Sequence, residues 1–427
     1  MLLVAIIFII FLSIGMPVAF AIGISGVAFF LQHPELPFTM IAQLPIAQTQ
    51  KVPMLAIPLF IFAGNLMNAT GITERLVKLS TLLTGHMKGG LAQVSVVLST
   101  LMGGVSGSAT ADAAMEARIL GPGMLKSGYT KGYTASVIGF TSLITATIPP
   151  GIGIIIYGTV GEVSIGRLFA AGLMVGLIMM LVMMGTVAVT ARLRNWKPER
   201  EKRASFKEIF ESLAETIWAL VFPILLLVGI RFGLFTPSEV GAFACVYAVL
   251  VGVFVYKEFT WKRLRETMHH TIRDIGAIMF IISLSGIFGY GIPIERIPQM
   301  LTKIITGLSV NPSIVLILII FFLIFVGMVM EGSVAILLLT PILLPMVESL
   351  GVDPVHFGLI MCSVITMGLL TPPIGISMYT VCSILECPTR EYLSEFLVFL
   401  ISFIIYIIIL VFLPDLVLLI PRLLYGS

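Results

Sequence analysis

Two short runs of small residues interrupt the most apolar parts of this sequence, and both carry atoms suited to holding ions. The first is Gly103-Gly104-Val105-Ser106-Gly107-Ser108-Ala109-Thr110-Ala111-Asp112. Glycines let the backbone turn and present its carbonyls. Hard cations such as Na⁺ take several oxygen ligands, and unwound backbone offers them without net charge. A helix restarting after such a turn points its first N–H groups at an anion. About forty residues later, Thr145–Gly151 breaks an apolar run at Pro149-Pro150. Two prolines remove two N–H donors and free the carbonyls before them. A matching pair lies in the second half of the chain, at Gly327–Ser333 and Gly368–Pro373. The expectation is two symmetric cation sites, each made by one small-residue tip and the break of the next helix. Site 1 takes Gly103, Ser106, Thr145, Ile148 and Pro149; site 2 takes Gly327, Gly332, Gly368, Thr371 and Pro372. Ser106, Gly107, Ser108, Asp112, Pro150, Gly332, Ser333 and Pro373 are the candidates for contact with an anionic substrate.

Other ionisable residues near these runs are few. Asp112 and Glu116 share one helical face at a spacing of four, Arg118 does not face Glu116, and Glu331 sits at the second tip. Asp112 is read either as guarding the substrate entrance, as accepting a hydrogen bond from the tip, or as a charge placed by the helix dipole. Glu239, after Pro237, reads as a helix-start residue. The five histidines fall mostly at interfaces, with no metal spacing. No GxSxG elbow, Walker lysine or HExxH is present, so no enzyme chemistry is expected. Cys245, Cys362, Cys382 and Cys387 form no CxxC pair and read as small core residues.

The elements that must position these residues follow from composition. Of 427 residues, 58% are hydrophobic and only 11% charged, with a mean hydropathy of +1.10. A soluble domain carries roughly a quarter charged residues, so this chain is expected in a lipid bilayer. Nucleic-acid binding has no support, because the Lys and Arg are few and form no single face. Long continuous apolar runs favour helices over a barrel of short alternating strands. The uncharged first 31 residues lack a basic n-region and are read as a retained membrane segment, either one bent span or two short ones. Two basic loops, Arg192–Lys207 and Lys257–Arg265, place the cytoplasmic side. From them, 90–125 enters and leaves from the cytoplasm and 312–350 from the outside. Both are expected to be re-entrant hairpins.

The two halves align. The first repeat, 53–192, holds an arm at 70–86, the hairpin at 90–125 and a broken helix at 132–160. The second, 274–427, holds an arm at 295–308, the hairpin at 312–350 and a broken helix at 355–385. Residues 1–52 form an N-terminal scaffold region, 193–212 a cytoplasmic basic loop, and 213–273 a scaffold helix pair with a second basic loop. Gly107-Ser108 aligns with Gly332-Ser333, and Thr147-Ile148-Pro149-Pro150 with Leu370-Thr371-Pro372-Pro373. The expected fold is an all-α polytopic membrane protein with inverted repeats, two re-entrant hairpins and two broken helices. Such repeats point to a transporter site at the bilayer midplane. An ion channel would instead favour one continuous pore, and a purely structural scaffold has no need of broken helices.

Several motifs in one order resemble the large membrane subunit of tripartite ATP-independent periplasmic (TRAP) transporters, the DctM-like family. They are Ala56-Ile57-Pro58-Leu59-Phe60-Ile61-Phe62-Ala63-Gly64, Ser106-Gly107-Ser108-Ala109, Ile148-Pro149-Pro150, Gly233-Leu234-Phe235-Thr236-Pro237-Ser238-Glu239, Gly327-Met328-Val329-Met330, Leu339-Thr340-Pro341-Ile342-Leu343-Leu344-Pro345 and Leu370-Thr371-Pro372-Pro373-Ile374-Gly375. Two departures are visible: Glu331-Gly332-Ser333 stands where the family often has an Asp, and Gly151 where it has a small polar residue. The resemblance implies an elevator-type importer of a small organic acid, a carboxylate or an acidic sugar such as sialic acid, with Na⁺ as coupling ion. It implies a small four-helix membrane partner (DctQ-like), a periplasmic substrate-binding protein (DctP-like) and a place in the bacterial inner membrane. With no additional four-helix block at the N-terminus, the small partner is expected as a separate chain. A self-sufficient cation-coupled organic-anion transporter or exchanger of the same architecture is the alternative.

Overall fold

Apolar runs punctuated by Gly, Pro and capping residues become helices along the whole chain. A computed structural model describes residues 2–308, 311–372 and 375–426, and among the described residues no strand is present. Eight of its helices are long and apolar enough to cross a bilayer; the pair Lys131–Thr147 and Ile152–Val160, bent by 42°, would make a ninth span. Only closed hydrogen bonding of this kind keeps backbone groups satisfied in lipid.

The first apolar run is two short helices, Leu2–Ser13 and Val18–Gln32, parted at Gly15 with φ +86°. Glycine takes that left-handed conformation without the steric cost a side chain brings. Two expected loops are shorter than their charge suggested. The helix Phe206–Arg231 already begins inside the 193–212 segment, started by a capping box in which Ser205 and Glu208 satisfy each other's backbone N–H. The boundary drawn at 273 falls inside one continuous helix, Trp261–Ile294, whose first turn is capped by Thr260. Basic residues mark the membrane side but do not break a helix; nothing in 261–273 does. Glu239 completes a capping box with Thr236 at the start of Pro237–Leu250, as its place after Pro237 indicated.

The packing divides the chain into a frame and an inner group. In the frame, Ala56–Ala69 lies against Pro237–Leu250 and the long helix Trp261–Ile294, which also packs on Val18–Gln32 and Met40–Thr49. In the inner group, helices Gly90–Gly103 and Ala109–Ile119 both pack on Lys131–Thr147. Pro312–Val329 and Gly332–Ser349 both pack on Pro354–Gly368. The outer halves of the broken helices are exchanged: Ile152–Val160 packs on Gly332–Ser349, and Ile376–Ile384 on Ala109–Ile119. Each half of the chain thus completes the other's hairpin. The helix Ile72–Thr84 bridges frame and inner group, contacting both Phe206–Arg231 and Gly90–Gly103.

Ion pairs gather at two ends. At one end Arg75 meets Glu258 at 2.8 Å, Lys78 meets Glu215 at 2.7 Å, and Arg194 clasps Glu395 with bonds of 2.8 and 2.6 Å. There too Lys131 Nζ donates to the Glu386 carbonyl at 3.0 Å. At the other end Arg167 lies 3.5 Å from Asp353, and His33 bridges Glu35 and Glu295 at 2.8 and 3.5 Å. The first end carries the basic loops. The four cysteines are buried and free.

Candidate functional site

Each small-residue tip lies against the break of the helix that follows it. At the first junction Gly107 has φ +64°, and a Cβ placed on it would sit 2.3 Å from the Pro150 carbonyl oxygen. A Cβ on Gly103 would sit 2.6 Å from Ile148 Cβ. The amide of Ile152, which starts the outer half-helix, approaches the Gly107 carbonyl at 3.5 Å. Pro149-Pro150 is a cis peptide bond. Ser108 caps the helix Ala109–Ile119, accepting from Ala111 N at 3.4 Å.

At the second junction the backbones are closer still. A Cβ on Gly368 would lie 2.2 Å from the Gly327 carbonyl carbon, and one on Gly327 would lie 2.7 Å from the Ile365 carbonyl oxygen. Gly332 opens the helix Gly332–Ser349, the second limb of that hairpin, and a Cβ there would meet only Ile365 Cγ2, at 3.8 Å. Glu331 caps that helix, accepting from Val334 N at 3.2 Å, and takes the Ser333 hydroxyl at 3.1 Å. Thr371 donates to the Met367 carbonyl at 3.3 Å. The Leu369 carbonyl accepts from Ser377 N and Met378 N, tying the break to the half-helix Ile376–Ile384. Pro372 flanks this turn and is half-buried; Pro373 lies outside the described residues.

The structure therefore brings Gly103, Gly107, Ile148 and Pro150 together, and Gly327, Gly332 and Gly368 together. Thr145 is different. Its hydroxyl oxygen lies 2.7 Å from Asp112 Oδ2 and 2.8 Å from the Ser99 carbonyl oxygen, and its one proton goes to one of the two. It belongs to a buried polar cluster that the two junctions do not include. There Ser99 Oγ approaches Asp112 Oδ2 at 2.9 Å and Glu116 Oε1 at 2.8 Å. Ser95 hydrogen-bonds Glu116 Oε2 and lies 2.9 Å from the Thr141 hydroxyl. Asp112 is 1% exposed and Glu116 fully buried. Asp112 thus hydrogen-bonds side chains below the tip. The sequence carried a signal for this cluster: Ser95 and Ser99, Asp112 and Glu116, and Thr141 and Thr145 are three polar pairs at a spacing of four. Each presents one helical face, and the three helices that carry them meet.

A cavity of about 580 Å³ opens beside the first tip. Ser106 and Asp112 line it from the inner group, and Asn68, Glu258, Arg263 and His270 from the frame. Its carboxylates, Asp112, Glu74, Glu258 and Glu266, outnumber Arg263 and His270. It lies at the basic-loop end. A second cavity, of about 340 Å³, occupies the related place at the opposite end, with Lys51, Ser285 and Tyr290 on the frame and Leu337, Leu338 and Pro341 on the second hairpin.

Comparison with known proteins agrees with this architecture. The family model described as the DctM component of the tripartite ATP-independent periplasmic transporter matches residues 5–416. The chain is 34% identical over 422 residues to a putative TRAP transporter large permease protein of Haemophilus influenzae, covering 96% of this chain and 98% of that one. It is 33% identical to the 2,3-diketo-L-gulonate TRAP transporter large permease protein of Escherichia coli, over 96% of both chains. It is 32% identical to the sialic acid TRAP transporter large permease protein of Vibrio cholerae, again over 96% of each. Among solved structures, the Alcanivorax borkumensis YdaH transporter superposes with a TM-score of 0.57 at 14% identity over 86% of each chain. That likeness concerns the fold alone.

Proposed function

Since the chain belongs to the DctM component family of tripartite ATP-independent periplasmic transporters, we propose that it is the large, multi-pass subunit of a Na⁺-coupled importer of a small organic acid. The observation that carries this reading is the pair of tip-to-break junctions, related by the inverted repeat. Each is a close approach of backbones with no room for a Cβ at Gly107 or at Gly368, and each offers backbone carbonyls where a half-helix begins. Such junctions suit Na⁺, carried as a co-substrate, and the opening N–H groups of the half-helices suit a carboxylate. Ser106, Ser108 and Gly332 stand at the tips to receive it.

The acid-lined cavity beside Ser106 supports cation coupling from a second direction. An organic anion entering a space with more carboxylates than cationic side chains gains from a metal cation bound first, so substrate and Na⁺ affinities rise together. Named relatives carry 2,3-diketo-L-gulonate and sialic acid, and an acidic sugar or carboxylate is the class proposed here. The inner group moves against the frame as an elevator, with this conformer open to the cytoplasm. A DctQ-like small subunit supports the frame, a DctP-like periplasmic protein delivers the substrate, and the whole sits in the inner membrane.

The test is uptake of radiolabelled organic acids into proteoliposomes containing this chain, its small partner and the binding protein, with and without an inward Na⁺ gradient. Uptake needing both Na⁺ and the binding protein is expected. Na⁺-driven uptake without the binding protein would favour a self-sufficient transporter, and Na⁺-independent uptake of the cognate acid would remove the coupling.

A further inference from the structure

The buried cluster around Asp112 and Glu116 lies about one helical turn below the first tip, where the Asp112 amide donates to the Ser108 carbonyl at 3.0 Å, and needs its own explanation. Two carboxylates sit one helical turn apart, joined by the Ser99 hydroxyl, in the interior of a membrane protein. Among the described residues no Lys, Arg or His pairs with either. Uncompensated charge in such a place is very costly, and buried charges are paired or hold a cation.

The compensation is uneven. Ser99 Oγ has one proton and lies 2.8 Å from Glu116 Oε1 and 2.9 Å from Asp112 Oδ2, so it serves one of them at a time; Ser95 donates to Glu116 Oε2, with Thr141 at 3.4 Å from that oxygen. Asp112 Oδ2 has the Ser99 and Thr145 hydroxyls within reach. Asp112 Oδ1, equally buried, has no partner. One oxygen of the cluster is thus left open, on the residue that also lines the cavity beside Ser106.

From this geometry we infer a third cation site, distinct from the two junctions, in which Asp112 Oδ1 is the primary ligand for a Na⁺-sized monovalent cation and Glu116 supplies the charge behind it. One monovalent ion lowers the net charge of the pair by one, and the hydroxyls around Glu116 stabilise the carboxylate that remains without cancelling its charge. The cluster also spans three elements, Gly90–Gly103, Ala109–Ile119 and Lys131–Thr147. An ion there fastens both arms of the first hairpin to the helix they clasp. It fixes the hairpin before the anion arrives, which is a mechanical reason for substrate to follow Na⁺.

The inference rests on the Na⁺-coupled reading, and the experiment separates the two. Saturation binding of ²²Na⁺ is measured on the complete transporter in nanodiscs without substrate, for the wild type, Asp112→Asn and Glu116→Gln. Asp112→Asn is expected to lower the number of ions bound per large subunit by about one without reaching zero. Glu116→Gln is expected to weaken one class of ions by about tenfold or more. Should either variant fail to fold, judged by size exclusion and thermal melting, Ser99→Ala decides. It keeps both carboxylates and is expected to weaken one class of ions by about threefold. Unchanged ion number and affinity in folded variants would overturn the third site while leaving Na⁺ coupling intact. So would unchanged Na⁺ binding together with a flattened pH profile of uptake, since the pair would then carry a proton. A wild type that binds no Na⁺ would instead overturn the coupling itself.

Discussion

At Gly368 there is no room for a side chain. A methyl group there would lie 2.2 Å from the Gly327 carbonyl carbon and 2.4 Å from its oxygen, both backbone atoms that have no rotamer to change. Gly368→Ala is therefore expected to push the second tip off its break. Overpacking in a well-packed interior costs about 1–3 kcal/mol, and backbone contacts place this variant at the upper end. Uptake should fall by about tenfold or more. Gly185→Ala is the control: it sits in a helix with nothing within 4 Å of the new methyl, so the better helix propensity of alanine should leave melting temperature and uptake unchanged or slightly raised. Equal losses in both variants, by thermal melting and proteoliposome uptake, would show that the Gly327–Gly368 approach has no special role.

Between elements, the exchanged half-helices make their own prediction. Thr110 Oγ1 on the second arm of the first hairpin lies 2.7 Å from Ser377 Oγ on the outer half of the second broken helix. If the inner group moves as one body, a disulfide between Thr110→Cys and Ser377→Cys should form on oxidation and leave most of the uptake intact. Loss of uptake reversed by reductant would mean that these two elements separate during the cycle. A second tie between elements is sensitive to pH. Hydrogen bonds, first to Glu35 and then to Glu295, hold the His33 imidazolium and raise its pKa above the ordinary value. Its contribution is fully present below the unfolded imidazole value and is lost as pH rises through the higher folded one. The melting temperature of the wild type should therefore fall more than that of His33→Gln between about pH 6 and 8, by a small amount because the pair faces solvent. Parallel pH curves would remove His33 from the account.

For the molecule as a whole, the decisive contact is the one between frame and inner group at the first tip. A Cβ on Gly104 would lie 3.4 Å from Pro223 Cβ on the helix Phe206–Arg231. That is near the Cβ separation of a disulfide, about 3.5–4.5 Å. Gly104→Cys with Pro223→Cys should cross-link in this conformer, stop uptake when oxidised and restore it when reduced. Full uptake with the cross-link formed would contradict movement of the inner group against Phe206–Arg231. Taken with the Thr110–Ser377 pair, the two disulfides distinguish a rigid-body elevator from local opening of the tips.

What the sequence determined is what repeats and what composition requires. The apolar runs forced helices, because lipid leaves no other way to satisfy the backbone. The small-residue tips and Pro149-Pro150 marked the close approach at the first junction, and Gly327 and Gly368 that at the second, because only Gly permits backbones so near each other. Lys and Arg located one end. Charge could not tell a loop from the first turns of a helix, which is why Phe206–Arg231 and Trp261–Ile294 begin earlier than expected. Only the tertiary structure could turn three separate polar pairs, Ser95–Ser99, Asp112–Glu116 and Thr141–Thr145, into one cluster. Each pair taken singly is ordinary, and their meaning depends on which helix faces meet. The exchange of half-helices between the repeats is of the same kind: it is a matter of contacts far apart in the chain, and no local pattern encodes it.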